Sequence, residues 1–247
     1  MAVENRKSIA ELPTSAARFI GKSVNRVEDP MLVTGRAEFI DNIILPGMLH
    51  CAMLRSPYAH ARIKSINVAA AEKLPGVLGV LTGEEVAAQT IPLPSFPEQW
   101  GGHCMAVGKV RFVGQAVAAV AATSRYVAED ALELIEVDYE PLPAVMDPVK
   151  AMQPDSPLLY EEKSSNIIYN RLFQWGDVDA AFRAADHIIT ETFRWNRLGA
   201  NPMETFGVIS QWDPVDHSLT CRGSFQAPGQ FAMAIAMVLQ LPSNKVR

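Results

Sequence analysis

Lys109-Val-Arg-Phe-Val-Gly-Gln-Ala-Val-Ala-Ala-Val-Ala-Ala122 runs through Thr123-Ser-Arg-Tyr-Val-Ala-Glu-Asp-Ala-Leu-Glu-Leu-Ile135 into Glu136-Val-Asp-Tyr139. The first piece is apolar without alternation, as in a strand covered on both faces, with Gly114-Gln115 near its start. Ser124 then opens a helix with Val127, Ala131, Leu134 and Ile135 at i, i+4, i+7 and i+8. Glu136–Tyr139 returns as a strand, ended by Glu140-Pro-Leu-Pro143. Strand, helix and strand in succession predict an α+β module.

Upstream, a short strand and a turn at Asp41-Asn42 are expected within 37–46, before the Pro46-Gly47 turn. Strands are expected at Met48–Arg55, Ile63–Val68 and Val77–Thr82, with short helices at Ala69–Leu74 and from Gly83. Residues 90–108 are rich in Pro and Gly and read as an irregular loop. These elements make a first domain over 20–145, after an arm over 1–19. A proline-rich linker follows over 146–164. Beyond it, strands are expected at Ile168–Trp175, His187–Arg197, Thr205–Trp212 and Ser218–Gly223. Helices are expected after Asp177 and from Pro228 to Gln240. Val246-Arg247 reads as the start of another strand, so the second domain, 165–247, is expected to be incomplete.

Composition narrows the function. A net charge of -5 offers no basic field for nucleic acid. No apolar run is long enough for a membrane span, and the N-terminus lacks the apolar core of a secretory signal. Cys51, Cys104 and Cys221 are far apart and odd in number, which favours a reducing, cytoplasmic setting. No CxxC or HxxxH spacing occurs, so no protein-ligated metal is expected.

One stretch carries the chemistry. In Leu219-Thr-Cys-Arg-Gly-Ser-Phe-Gln-Ala-Pro-Gly-Gln-Phe231, a strand leads into a turn, and Pro228 opens a helix. Gln226 thus sits just before a helix N-terminus, a place suited to an oxygen-rich or anionic ligand. Gln115, in the first domain, reads as structural, and Glu204 offers a carboxylate of the kind proton abstraction uses. His50, His60, His103, His187 and His217 lack metal spacing. Cys221 reads as a small buried hydrophobe, and Met233, Met237 and Leu241 as a core-facing helical stripe.

Ordered motifs give these elements a family. Asn25-Arg-Val-Glu-Asp-Pro30, Gly35-Arg-Ala-Glu-Phe-Ile-Asp-Asn42, Leu54-Arg-Ser-Pro-Tyr-Ala-His-Ala-Arg-Ile63, Val113-Gly-Gln-Ala-Val-Ala-Ala-Val120, Asn201-Pro-Met-Glu-Thr205 and Gly223-Ser-Phe-Gln-Ala-Pro228 follow one another in order. Together they resemble the large subunits of molybdenum hydroxylases, of the xanthine dehydrogenase, aldehyde oxidoreductase and aerobic carbon monoxide dehydrogenase types. The resemblance implies an α/β hammerhead domain followed by the incomplete start of the first molybdopterin-binding domain.

It also implies a molybdenum–molybdopterin cytosine dinucleotide cofactor. Its family partners are a small subunit with two 2Fe–2S clusters, an FAD subunit and the remainder of the large subunit. The implied reaction is hydroxylation of a small substrate (carbon monoxide, an aldehyde or an N-heterocycle) with water as the oxygen source. By the resemblance, Gln226 matches the glutamine whose amide approaches the molybdenum oxo ligand, and Gly223, Ser224 and Phe225 complete the cofactor-binding turn. The family's Gly-Gly-Gly-Phe-Gly segment and its C-terminal glutamate base are absent from the sequence. Two readings follow: part of a split or longer enzyme subunit, or a non-catalytic scaffold that docks the iron–sulfur or flavin subunits.

Overall fold

The structure is a computed structural model that describes residues 19, 21–94 and 101–247. All of the expected arm except Phe19, and residues 95–100 of the irregular loop, lie outside the described residues. The chain divides into two compact units, Met1–Ile43 and Ile44–Arg247. In the first, helix α1 (Asp29–Val33) begins with Pro30 near its start, and Asp29 pairs with Arg26 at 2.8 Å. Of the short strand and the Asp41-Asn42 turn expected within 37–46, the turn is present, as a 3-10 turn over Ile40–Asn42, and the strand is not. Asn42 Oδ1 accepts the Phe39 N–H at 3.0 Å, and this local bond competes with extended pairing.

In the second unit the order is β1 (His50–Arg55), β2 (Ala61–Asn67), α2 (Ala69–Glu72), β3 (Val77–Thr82), α3 (Gly83–Gln89), β4 (Lys109–Val110), β5 (Ala116–Ala122), α4 (Arg125–Glu133) and β6 (Glu136–Pro141). Then come α5 (Pro148–Ala151), α6 (Val178–Ala184), β7 (Val208–Asp213), β8 (Ser218–Gly223) and α7 (Pro228–Val238). Among the described residues these strands form three antiparallel sheets, ordered β1-β5-β3, β4-β2-β6 and β7-β8. Strands β1 and β3 both pair with β5, in registers such as Ala52↔Val120 and Val80↔Val120.

β5 is buried on both faces, as its unbroken apolar sequence requires. Alternation sends its side chains to two clusters. Val117 packs with Ala61, Ala106 and Val110, while Ala118 and Val120 pack with Ala71, Val80, Ala131 and Ile135. Helix α4 covers β1, β5 and β3. It starts where expected because Ser124 Oγ accepts the Val127 N–H at 3.2 Å. Helix α3 starts with a capping box: Thr82 Oγ1 accepts from Glu85 N, and Glu85 Oε2 accepts from Thr82 N.

The single strand expected over 109–122 is two strands in different sheets. A turn intervenes in which Gly114 takes φ +89° and Gln115 Oε1 accepts the Arg111 N–H at 2.7 Å. This is the structural role read for Gln115. The strands expected at 168–175 and 187–197 are not strands. Their alternation is real, but a strand needs a hydrogen-bonded neighbour, and none pairs with them among the described residues. Between α6 and β7 the chain is irregular and exposes Phe193, Trp195 and Phe206.

Candidate functional site

The site begins with the β7-β8 hairpin. All six residues of each strand pair in register, from Asp213↔Ser218 at the turn to Val208↔Gly223 at the open end. The turn is held by Asp213, whose Oδ1 accepts the Val215 and Asp216 N–H groups at 2.8 and 3.2 Å. Those bonds hold its carboxyl below the usual carboxylate range. Past β8, Arg247 donates its N–H to Leu219 O at 2.9 Å and accepts from Cys221 N at 2.7 Å. Val246 makes an isolated parallel bridge to Leu219 on the edge of β8, at the place where a strand start is expected, but no strand forms there.

At the open end the chain leaves β8 through Gly223. A Cβ at that position would lie 2.7 Å from Gly207 O and 2.9 Å from the Phe225 ring, so the approach of the two backbones admits only glycine without a shift. The Phe225 ring lies 6.2 Å from Phe206, edge-on, and 5.1 Å from Phe231 in the first turn of α7. Phe225 therefore anchors the loop to the entry of β7 on one side and to α7 on the other.

Ser224 and Gln226 flank that anchor and are exposed. Ala227 caps α7 without a side-chain bond, and Pro228 supplies no N–H. Gln230 and Phe231 donate back to Ala227 O at 3.0 and 3.1 Å. Around Gly229 there is open space: nothing lies within 4 Å of a Cβ built there. Stretch 223–231 carries no ionisable side chain. Its offer to a ligand is neutral: the Gln226 amide, the Ser224 hydroxyl and the positive end of an eleven-residue helix.

This donor set fits an oxygen-rich cofactor approached from one side. It does not fit a bare metal ion, which needs several anionic or imidazole ligands. Among the described residues, no group of three His, Cys, Asp or Glu side chains is placed to hold one.

The other residues singled out in the sequence lie apart from the loop's chemistry. Glu204 is half-buried in the loop before β7. His60 is buried with Nδ1 2.8 Å from Pro143 O, while His187 and His217 are exposed and His50 and His103 half-buried. Cys221 is half-buried rather than fully buried, with Sγ 3.6 Å from Ser210 Oγ. The stripe Met233, Met237, Leu241 is not core among the described residues: both methionines are exposed, and α7 buries Ala236 and Val238 instead. Gly207, Phe206 and Phe231 were not singled out in the sequence, because what makes them matter is contact across the hairpin.

The aldehyde oxidase and xanthine dehydrogenase a/b hammerhead domain matches residues 34–143, and the molybdopterin cofactor-binding domain matches residues 159–247. The carbon monoxide dehydrogenase large chain of Afipia carboxidovorans is 39% identical over 95% of this chain and 31% of its own length. Subunit gamma of the 6-hydroxypseudooxynicotine dehydrogenase complex of Paenarthrobacter nicotinovorans is 37% identical over 93% of this chain and 30% of its own length. The crystal structure of quinoline 2-oxidoreductase from Pseudomonas putida 86 superposes with a TM-score of 0.81 at 36% identity, covering 92% of this chain and 29% of that one. The chain thus spans about a third of the length of these relatives. Matched by both domains in order, it belongs to the molybdenum hydroxylase family and resembles part of its molybdenum-binding large subunits.

Proposed function

We propose that this chain supplies the hammerhead and one wall of the cofactor site of a molybdenum hydroxylase. The enzyme would hydroxylate or oxidise a small substrate (carbon monoxide, an aldehyde or an N-heterocycle) with water as the oxygen source. Electrons would leave through 2Fe–2S clusters and FAD on partner subunits. The cofactor is molybdopterin in its cytosine dinucleotide form, and it would supply a two-electron redox centre that is also a Lewis acid. The remaining walls come from polypeptide corresponding to the rest of the relatives' length.

The observation that carries this reading is the Gly223–Pro228 loop. Gly223 lets β8 close onto Gly207, Phe225 pins the loop between Phe206 and Phe231, and Gln226 is left exposed beside the α7 N-terminus. The Gln226 amide N–H can donate to an acceptor oxygen on the cofactor without adding net charge to the site. The helix dipole adds a field of the same sign.

The test is Gln226→Ala in the complete complex. Turnover should fall roughly 10- to 100-fold with molybdenum and pterin content unchanged. A wild-type rate overturns the assignment of Gln226. Metal and pterin analysis tests the wider reading: the cofactor should co-purify when a polypeptide carrying the Gly-Gly-Gly-Phe-Gly segment is co-expressed. Stable capture of iron–sulfur or flavin subunits, with no molybdenum under any condition, would mark a scaffold instead.

A further inference from the structure

Segment 157–166 lies against the β4-β2-β6 sheet and is held by contacts that the cofactor loop does not use. Glu161 Oε1 is 3.0 Å from Arg62 Nη2 on β2 and 3.1 Å from Lys109 Nζ on β4. The two cations differ. The Arg62 side chain is 51% exposed, but that of Lys109 is only 9% exposed. Arg111 Nε donates to Leu159 O at 2.9 Å, and its guanidinium lies 4.2 Å over the Tyr160 ring. Asn166 closes the segment on itself: Oδ1 accepts the Leu159 N–H at 3.1 Å, and Nδ2 donates to Pro157 O at 2.9 Å.

A buried ammonium is costly unless an anion pairs with it. The Glu161 carboxylate, 3.1 Å from Lys109 Nζ, is the anion that compensates it. His60 lies nearby, with Nδ1 engaged by Pro143 O and Nε2 buried without a hydrogen-bond partner. Arg62, Lys109 and Arg111 fall in the hammerhead match, whereas Leu159, Tyr160 and Glu161 open the cofactor-binding match.

We propose that Glu161 is an ionic latch that locks the first residues of the cofactor-binding span onto the hammerhead sheet, and that opening it frees 157–166 without unfolding the sheets. The groups facing the carboxylate are Lys109, Arg62 and His60, all cationic or able to become so. Hydrogen bonding and charge from Lys109, then charge from Arg62 and His60, hold the Glu161 carboxyl below its usual range. A depressed carboxylate stabilises the folded state above its unfolded value and loses that effect as pH falls through its folded value. The latch is therefore closed at neutral pH and opens only in acid. Because Lys109 is screened from solvent, salt weakens the Arg62 arm more than the Lys109 arm.

Hydrogen exchange on the full 247-residue chain tests this, comparing a peptide spanning 157–166 with one spanning β5. Glu161→Gln keeps the shape but leaves the buried ammonium uncompensated. Exchange of 157–166 should accelerate roughly tenfold or more, with β5 unchanged. Adding Lys109→Met removes the stranded charge but also the lock, so exchange of 157–166 should stay fast. Three results overturn the latch: no acceleration in Glu161→Gln, equal acceleration in β5, or full recovery of protection in the double variant.

Discussion

Gly223→Ala puts the close approach at the end of β8 to the test. The added methyl would lie 2.7 Å from Gly207 O, where ordinary contact starts at 3.4 Å, so 0.7 Å must be found. The oxygen cannot yield cheaply, because the adjoining Val208↔Gly223 pair closes a fully registered hairpin. The second obstacle, the Phe225 ring at 2.9 Å, is itself held by Phe206 and Phe231. Overpacking of this kind costs about 1–3 kcal/mol.

For a chain of this size that is a fall in Tm of roughly 2–12 °C, read by circular dichroism. The displaced loop carries Gln226 with it. A misplacement on the order of 1 Å in a positioning group can cost about 100-fold in rate, so turnover of the complete complex should drop out of proportion to the lost stability. Gly229→Ala is the control. It lies two residues into the same helix with nothing within 4 Å of the new methyl, and it should be neutral or stabilising by up to about 1 kcal/mol. If Gly223→Ala melts and turns over like the wild type, the close approach does not position the loop.

Val120→Ala removes two methyl groups from a fully buried site in β5 and should cost about 2–3 kcal/mol, seen as a lower urea midpoint with an unchanged m-value. The Asp213 carboxyl is held low by the Val215 and Asp216 N–H groups. Its stabilisation of the β7-β8 turn is therefore present above the ordinary Asp range and is lost as pH falls through the folded value. The amide signals of Val215 and Asp216 should move together in acid and stay fixed in Asp213→Asn; signals that titrate alike in both proteins would refute the turn's dependence on this carboxylate.

What local sequence could encode, it encoded legibly. Ser124, the apolar spacing after it and the β-branched run Val77–Thr82 specify their elements through caps and periodicity, and the structure places them there. Residues 109–122 misled because the turn between the two strands carries the apolar, strand-favouring Phe112 and Val113. Only Gly114, with its positive φ, marks the break between two sheets. At 168–175 and 187–197 the pattern of a strand is present but its pairing is not, and pairing is a property of two segments. The site divides the same way. Pro228 and the turn before it announce themselves, whereas Gly207, Phe206 and Phe231 matter only because the hairpin brings them to Gly223 and Phe225. The Glu161–Lys109 pair leaves no periodic trace at all.

The central place of β5 has a further consequence, in the order of synthesis. Among the described residues, β1 and β3 have no strand partner other than β5, and β2 waits for β4 and β6. At roughly 5–20 residues per second, the ~60 residues from Arg55 to Ala116 leave β1 unpaired on the ribosome for several seconds. During that time its edge is open to other chains. A mild substitution within 116–141 would thus be felt first in yield, as chains lost to aggregation, and only later in the melting of the chains that fold.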